Sequence, residues 1–332
     1  MAETTIEWAD FSFNPWEGCQ KVAPECDNCY AEARDHRFTG GAHWGPKAPR
    51  RRTSAANWHK PHKWNRDHAA FHAAHGRRQR VFCASLADVF DNAVDPKWRA
   101  DLFDLIRATP NLDFLLLTKR PQNMTGMLPE DWRDGWPHVW LGTTAGTQKT
   151  ADQNVPHLLA TPAAVRFVSA EPLLGPVEFQ VPWSKISPNI TVQTNALLGL
   201  TGMGGEIAKL DWIIVGGESG PHARPMHPDW ARALRDQCQA AGVAFFFKQW
   251  GEWLPFGQSG FTAWRGHTTV KGGLRKPKGK WWGHADFNDG AGGRNTHTLG
   301  PVETRMLDTH GTQAVRVGKR AAGRLLDGRE WN

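Results

Sequence analysis

The sequence predicts an α/β protein organised as a (β/α) barrel, partial or closed and TIM-like. Three observations carry this reading. Short apolar runs recur along the chain, each ends in a polar or glycine-rich turn, and stretches with helical spacing lie between several of them. Strands of a parallel sheet are covered on both faces, so they read as continuous apolar runs. A doubly wound open sheet is the other architecture this alternation allows.

The runs that qualify as strands are 81–84, 114–117, 139–142, 165–169, 212–215 and 245–248, with an earlier one inside 6–13. Between them, Asp95 is placed to cap a helix with Pro96 at its first position, and Trp98, Leu102, Leu105 and Ile106 recur at helical spacing until Pro110 stops it. Pro228 opens a second helix with Trp230, Ala233, Leu234 and Cys238 on its apolar side, and Gly242 closes it. The stretch 176–210 holds Pro, Asn, Gly and Thr in quantity and reads as a surface insertion. After Trp253 the alternation stops, so the chain divides into a barrel domain, 1–253, and an extension, 254–332, packed on it. The extension is expected to be loop-rich across 257–300 and to end in a short polar helix within 311–326.

A chain of 332 residues with 40% hydrophobic content is long enough for one large core. The N-terminus carries no basic segment followed by an apolar run, and no stretch approaches the ~20 apolar residues of a membrane span, which predicts a soluble, cytoplasmic protein. Five cysteines are too few, and odd in number, for a disulfide framework. The net charge of +7 is unevenly spread: 43–80 holds ten Lys and Arg against Asp67 alone, a local +9 that leaves the rest of the chain at −2. In this insertion after the first strand, Arg50, Arg51, Arg52, Lys60 and Lys63 are interleaved with Trp58 and Trp64. Cations beside aromatic faces suit a nucleic-acid backbone and its bases. A solvated basic surface is the plainer reading of the same run.

Cys19, Cys26 and Cys29 fall within eleven residues, in a loop (14–30) that follows the first strand and precedes a helical stretch, 31–38. In a βα fold that loop opens on the carboxyl-end face, where ligands bind. Three thiolates there suit a [4Fe–4S] cluster with one iron left open. A structural zinc needs a fourth ligand, for which His36 or His43 is the candidate, and thiol chemistry without metal is the third alternative. Cys83, within a strand, and Cys238, on a helix face, read as small core residues. Residues just past the strands line one mouth: Ser85, Asp88, Thr118, Lys119, Arg120, Thr143, Thr144, Glu171, Glu218, Ser219 and Lys248. There is no dinucleotide or Walker phosphate loop and no nucleophile elbow.

Several motifs together resemble a family. They are Ile6-Glu7-Trp8, Asn14-Pro15-Trp16-Glu17-Gly18-Cys19, Cys26-Asp27-Asn28-Cys29-Tyr30-Ala31, Leu86-Ala87-Asp88-Val89-Phe90-Asp91, Leu117-Thr118-Lys119-Arg120-Pro121, Ser169-Ala170-Glu171-Pro172-Leu173, Val215-Gly216-Gly217-Glu218-Ser219-Gly220 and Phe247-Lys248-Gln249-Trp250-Gly251. The chain resembles, over almost its whole length, uncharacterised phage and prophage proteins with an N-terminal three-cysteine motif. That family in turn resembles radical S-adenosylmethionine enzymes, although the gap between the first two cysteines is longer here than the usual three residues and Tyr30 follows the last cysteine. The resemblance implies a [4Fe–4S] cluster on Cys19, Cys26 and Cys29, S-adenosylmethionine on the open iron, and reductive cleavage to a 5′-deoxyadenosyl radical with an electron from a separate reductant. Gly216-Gly217-Glu218 is similar to the Gly-Gly-Glu that contacts the methionine amino group in those enzymes. Cofactor contacts are then expected from Tyr30, Asp88, Thr143, Gly216, Gly217, Glu218 and Ser219, and catalytic groups from Glu218, Glu171 and Lys119. The implied function is radical modification of a nucleic acid or nucleotide. The rival is a non-catalytic nucleic-acid-binding protein with a structural Cys3His zinc site.

Overall fold

In the computed structural model, the apolar runs become seven strands: β1 (Phe11–Ser12), β2 (Gln79–Cys83), β3 (Leu112–Thr118), β4 (Val139–Thr144), β5 (Val165–Ala170), β6 (Trp212–Gly216) and β7 (Ala244–Gln249). The structure describes residue 4 and residues 6–187, 190–202, 204–256, 258, 281–288 and 294–332. All seven strands are parallel and lie in chain order across one sheet. A doubly wound sheet reverses its strand order part-way. This one never reverses, so it winds in one direction as a parallel half-barrel, and no pairing joins β1 to β7 among the described residues.

Successive strand side chains point to opposite faces, and the two faces carry separate cores. Outside, Val81, Phe114, Leu141, Val168, Val215 and Phe247 pack in one cluster with residues from three helices: Leu102 and Ile106 of α2 (Pro96–Arg107), Val155 and Leu158 of α3 (Gln148–Ala160), and Leu234 of α4 (Pro228–Ala241). Full burial of each such side chain stabilises the fold by about 1.5–3 kcal/mol. Inside the half-barrel, Phe82, Leu115, Phe167, Trp212, Ile214 and Phe246 gather around Trp8. Arg80 lies over the rings of Trp140 and Trp212.

The helix punctuation read from the sequence is realised in the backbone. Asp95 accepts from Lys97 N at 2.9 Å with Pro96 at the first turn of α2, and Gly242 closes α4 in the left-handed conformation. A further helix, α1 (Tyr30–Thr39), follows the cysteine loop. Cys83 and Cys238 are buried in the outer core.

The surface insertion has regular structure of its own, and one expectation, the loop-rich extension, is corrected. The stretch 176–210 carries a three-stranded antiparallel sheet, Gln180–Ser187, Ile190–Asn195 and Leu200–Thr201. Among the described residues the C-terminal extension contains strands where loop was expected: Trp281–Asn288 pairs with Arg294–Val302, and Trp253–Pro255, Gln313–Arg316 and Thr304–Met306 form another sheet. Residues 259–280 of the expected loop-rich region lie outside the described residues, and the expected terminal helix is a single turn, Lys319–Ala322. The extension is tied to the half-barrel by Phe247 N to Trp331 O at 3.0 Å, Trp250 Nε1 to Leu325 O at 2.9 Å, and Arg316 Nη2 to Pro221 O at 2.6 Å. No helix among the described residues is long and apolar enough to cross a membrane.

Candidate active site at the carboxyl ends of the strands

The cysteine loop lies across the mouth of the half-barrel. Its entry requires a glycine: Gly18 has φ +104°, and a Cβ there would stand 2.4 Å from His43 O. Beyond it the loop is fastened to the ends of four strands. Tyr30 Oη donates to Ser85 O beyond β2 at 2.6 Å, and Arg120 Nη2, beyond β3, donates to Gln20 O at 3.2 Å. Gly146 N, beyond β4, donates to Glu25 Oε1 at 2.9 Å. Beyond β6, Glu218 accepts from Asn28 Nδ2 at 2.9 Å, while Arg224 reaches Pro24 O and Asp27 Oδ2, each at 2.9 Å.

Under this loop is a cavity of about 470 Å³. Its floor is apolar, from Trp8, Phe82 and Leu117, and its walls carry Cys19, Cys26 and Cys29 together with Asp88, Lys119, Arg120, Glu171, Glu218, Ser219, Lys248 and Gln249. Cys26 ends a turn of 3-10 helix and Cys29 is the N-cap of α1, so local helical geometry sets the spacing of these two thiols. Cys19 comes from the other side, where Arg120 Nη1 is 3.6 Å from its Sγ. Burial and the Asp88 carboxylate push the Cys19 thiol up to about 11, and Arg120 opposes them. No three His, Cys, Asp or Glu side chains among the described residues converge as a metal-binding group. The donor set, three thiols on the walls of one cavity, suits an iron–sulfur cluster, and holding one requires the three side chains to be gathered. Neither His36 nor His43 lines the cavity.

The carboxylates expected to meet a ligand are mostly engaged by the protein. Asp88, buried, accepts from Phe90 N, Thr118 Oγ1, Lys119 N and Arg120 Nη1 at 2.6–3.1 Å. A carboxylate offers about four acceptor sites, so Asp88 anchors the turn after β3 with its acceptor capacity taken up by the protein. Glu218, 5% exposed, accepts from Asn28 Nδ2, from Arg224 N and Nε, and from Arg224 Nη2 at 2.6 Å. Burial pushes its carboxyl up, but the hydrogen bonds from Arg224 and Asn28 outweigh this and hold it below the ordinary value. Glu218 therefore holds the cysteine loop while lining the cavity, with its acceptor positions taken by protein groups. Glu171 is paired with Lys248 at 2.7 Å and also accepts from Gln249 Nε2 at 3.0 Å.

Gly217 lines the cavity, whereas Gly216 and Thr143 do not. A Cβ on Gly217 would stand 1.9 Å from Trp250 O, and one on Gly216 would meet the Glu171 side chain at 3.1 Å. These glycines let protein approach protein. Thr143 is buried away from the cavity with its hydroxyl donating to Thr118 O at 2.9 Å. Tyr30 and Ser219 do line the cavity. Tyr30 is 59% exposed, with its hydroxyl donating to Ser85 O.

Sequence reasoning missed two groups. Glu25, 5% exposed, binds Gly146 N and Thr150 Oγ1 through Oε1, and its Oε2 is buried without a partner among the described residues. Gln249 Oε1 is in the same condition. Both residues line the cavity. An acid next to the second cysteine was a readable signal for Glu25, and Gln249 lies inside the motif Phe247-Lys248-Gln249-Trp250-Gly251, to which no role was assigned.

The basic insertion is rearranged most. Arg50, 6% exposed, pairs with Asp91 at 2.8 Å and donates to His43 O, Gly45 O and Ala48 O, so it is a buried strut closed to phosphate. Trp64 is buried and stacked on Phe11 at 4.2 Å, so it cannot stack on a base. Arg51 pairs with Glu17, and Arg52 pairs with Asp101 while lying over the Trp58 ring. Lys60 and Lys63 remain exposed.

The model of one protein family, described as Protein of unknown function (DUF5131), matches residues 3–332. The chain belongs to that family. No curated protein and no solved structure matches it. The family match runs from before the cysteine loop through the C-terminal extension, so DUF5131 includes both walls of the cavity and the segment packed beside it.

Proposed function

We propose that this DUF5131 protein is an iron–sulfur enzyme of radical S-adenosylmethionine type that modifies a nucleic acid or nucleotide. One observation carries the reading: three thiols from one loop line a single cavity at the carboxyl ends of a parallel half-barrel. Cys19, Cys26 and Cys29 would hold a [4Fe–4S] cluster, which when bound supplies the electron for reductive cleavage of a sulfonium. The protein's own part is positioning. Arg120, raised in pKa by Asp88 and Cys19 against the cost of its burial, keeps a permanent cation beside Cys19. Glu25 Oε2 and Gln249 Oε1 are buried acceptors without donors. Leaving such groups unpaired costs about 1–3 kcal/mol each, so a ligand bearing an ammonium group or ribose hydroxyls is the complement of this wall. The aromatic floor excludes water from that end.

The test is anaerobic reconstitution followed by iron, sulfide and zinc analysis. Roughly four irons and four sulfides per chain are expected, lost in Cys19→Ala, Cys26→Ala and Cys29→Ala and retained in Cys83→Ala. Reduced, loaded protein should cleave S-adenosylmethionine to 5′-deoxyadenosine. Stoichiometric zinc without iron uptake would overturn the reading.

A further inference from the structure

The charges around the cavity do not all cancel. Asp88 is paired with Arg120 at 2.8 Å, Glu171 with Lys248 at 2.7 Å, and Glu218 with Arg224 at 2.6 Å. Glu25 is held by neutral donors. Two cations that line the same cavity are left over, Lys119 and Lys319, and neither side chain makes an ion pair or hydrogen bond among the described residues. They come from distant parts of the chain. Lys119 directly follows β3, with its backbone N fixed on Asp88 at 3.1 Å. Lys319 opens the single helical turn of the C-terminal extension. The residues before it are pinned by Val317 N and Gly318 N to Glu252 O at 3.0 and 3.1 Å, and Glu252 N is in turn bonded to Glu218 O.

Lys119 is half-buried where it lines the cavity, so its ammonium has lost part of its hydration without an anion in return, while Lys319 stands exposed at the rim; a phosphate would supply both the charge and the acceptor oxygens. We propose that Lys119 and Lys319 form an anion subsite that takes a phosphate group of the substrate. The C-terminal extension then contributes directly to substrate recognition. This rests on the nucleotide reading of the site, and it moves phosphate recognition from the basic insertion, where Arg50 is buried and Arg51 and Arg52 are paired, to the cavity itself.

The test is calorimetric titration of the full chain with the four ribonucleoside 5′-monophosphates, the corresponding nucleosides and S-adenosylmethionine, in the native protein and in Lys119→Ala, Lys319→Ala and Lys119→Arg. At least one monophosphate should bind more tightly than its nucleoside. Each alanine variant should weaken that monophosphate by about tenfold, as expected for one charge-assisted contact, and leave the nucleoside unchanged, while Lys119→Arg restores most of the affinity. Loss of S-adenosylmethionine affinity with unchanged monophosphate affinity would assign the lysines to the cofactor carboxylate and overturn the proposal, as would equal binding of monophosphates and nucleosides. Lysine-dependent monophosphate binding in a protein that takes up no iron would keep the subsite while removing the radical-enzyme reading. Cofactor cleavage combined with lysine-independent monophosphate binding would do the reverse.

Discussion

Truncating Arg224 to alanine isolates what the clamp on the cysteine loop contributes. The change removes the Nε and Nη2 contacts to Glu218 and the contacts to Pro24 O and Asp27, leaving the buried carboxylate only Arg224 N and Asn28 Nδ2. Breaking one partner of a fully buried pair costs about 3–5 kcal/mol. Arg224 is about one-third exposed (32%) and water replaces part of what is lost, so about 2–3 kcal/mol is expected at pH 7. The sign of the pH dependence follows from Glu218. Its folded pKa lies below the ordinary 4.5, so between the two values the unfolded chain binds more protons. Its contribution is complete above the ordinary value and is lost as pH falls through the folded one. Urea unfolding of native and Arg224→Ala protein should therefore show the full penalty at pH 7 and a smaller one below about pH 4, with faster tryptic cleavage after Lys21, which lies in the loop. A penalty that is the same at both pH values, or below about 0.5 kcal/mol at pH 7, would refute the assignment of Glu218 to loop anchoring.

Arg50→Ala should cost about 3–5 kcal/mol in denaturant unfolding by removing the Nε and Nη2 contacts to the buried Asp91 carboxylate, whereas Lys60→Ala with Lys63→Ala should leave stability within about 0.5 kcal/mol; the opposite pattern would return Arg50 to the surface. Gly217→Ala places a methyl 1.9 Å from Trp250 O, so the ends of β6 and β7 must separate, and chemical denaturation should report a loss of about 3 kcal/mol or more.

The strands and helix ends were legible because their signals are local. An apolar run such as 212–215, or Pro228 and Gly242 bracketing a helix, states its conformation within a few residues. The sheet across 176–210 was not legible, because Gln180–Ser187 and Ile190–Asn195 mix polar and apolar residues and contain no continuous apolar run. At the site, the position of the three cysteines after β1 was enough to place them at the mouth. The duties of the acids were hidden because their partners are remote: Asn28 stands 190 positions from Glu218, Arg120 stands 32 from Asp88, and Arg50 stands 41 from Asp91. A run of charge along a sequence records composition, and in this insertion several charges are already matched by acids from elsewhere.

Among the described residues no strand pairs with the outer edge of β1 or of β7, and the loop that leaves β1 is bonded to the segment beyond β6. The cysteine loop thus acts as a hoop over an open stave barrel, and any occupant that draws its three thiols together tightens the hoop. Binding at this mouth is thereby coupled to the melting of the whole domain. A ligand present at a hundred times its Kd adds about 2.7 kcal/mol to the folded state, so true occupants can be found by their effect on thermal unfolding before any reaction is known.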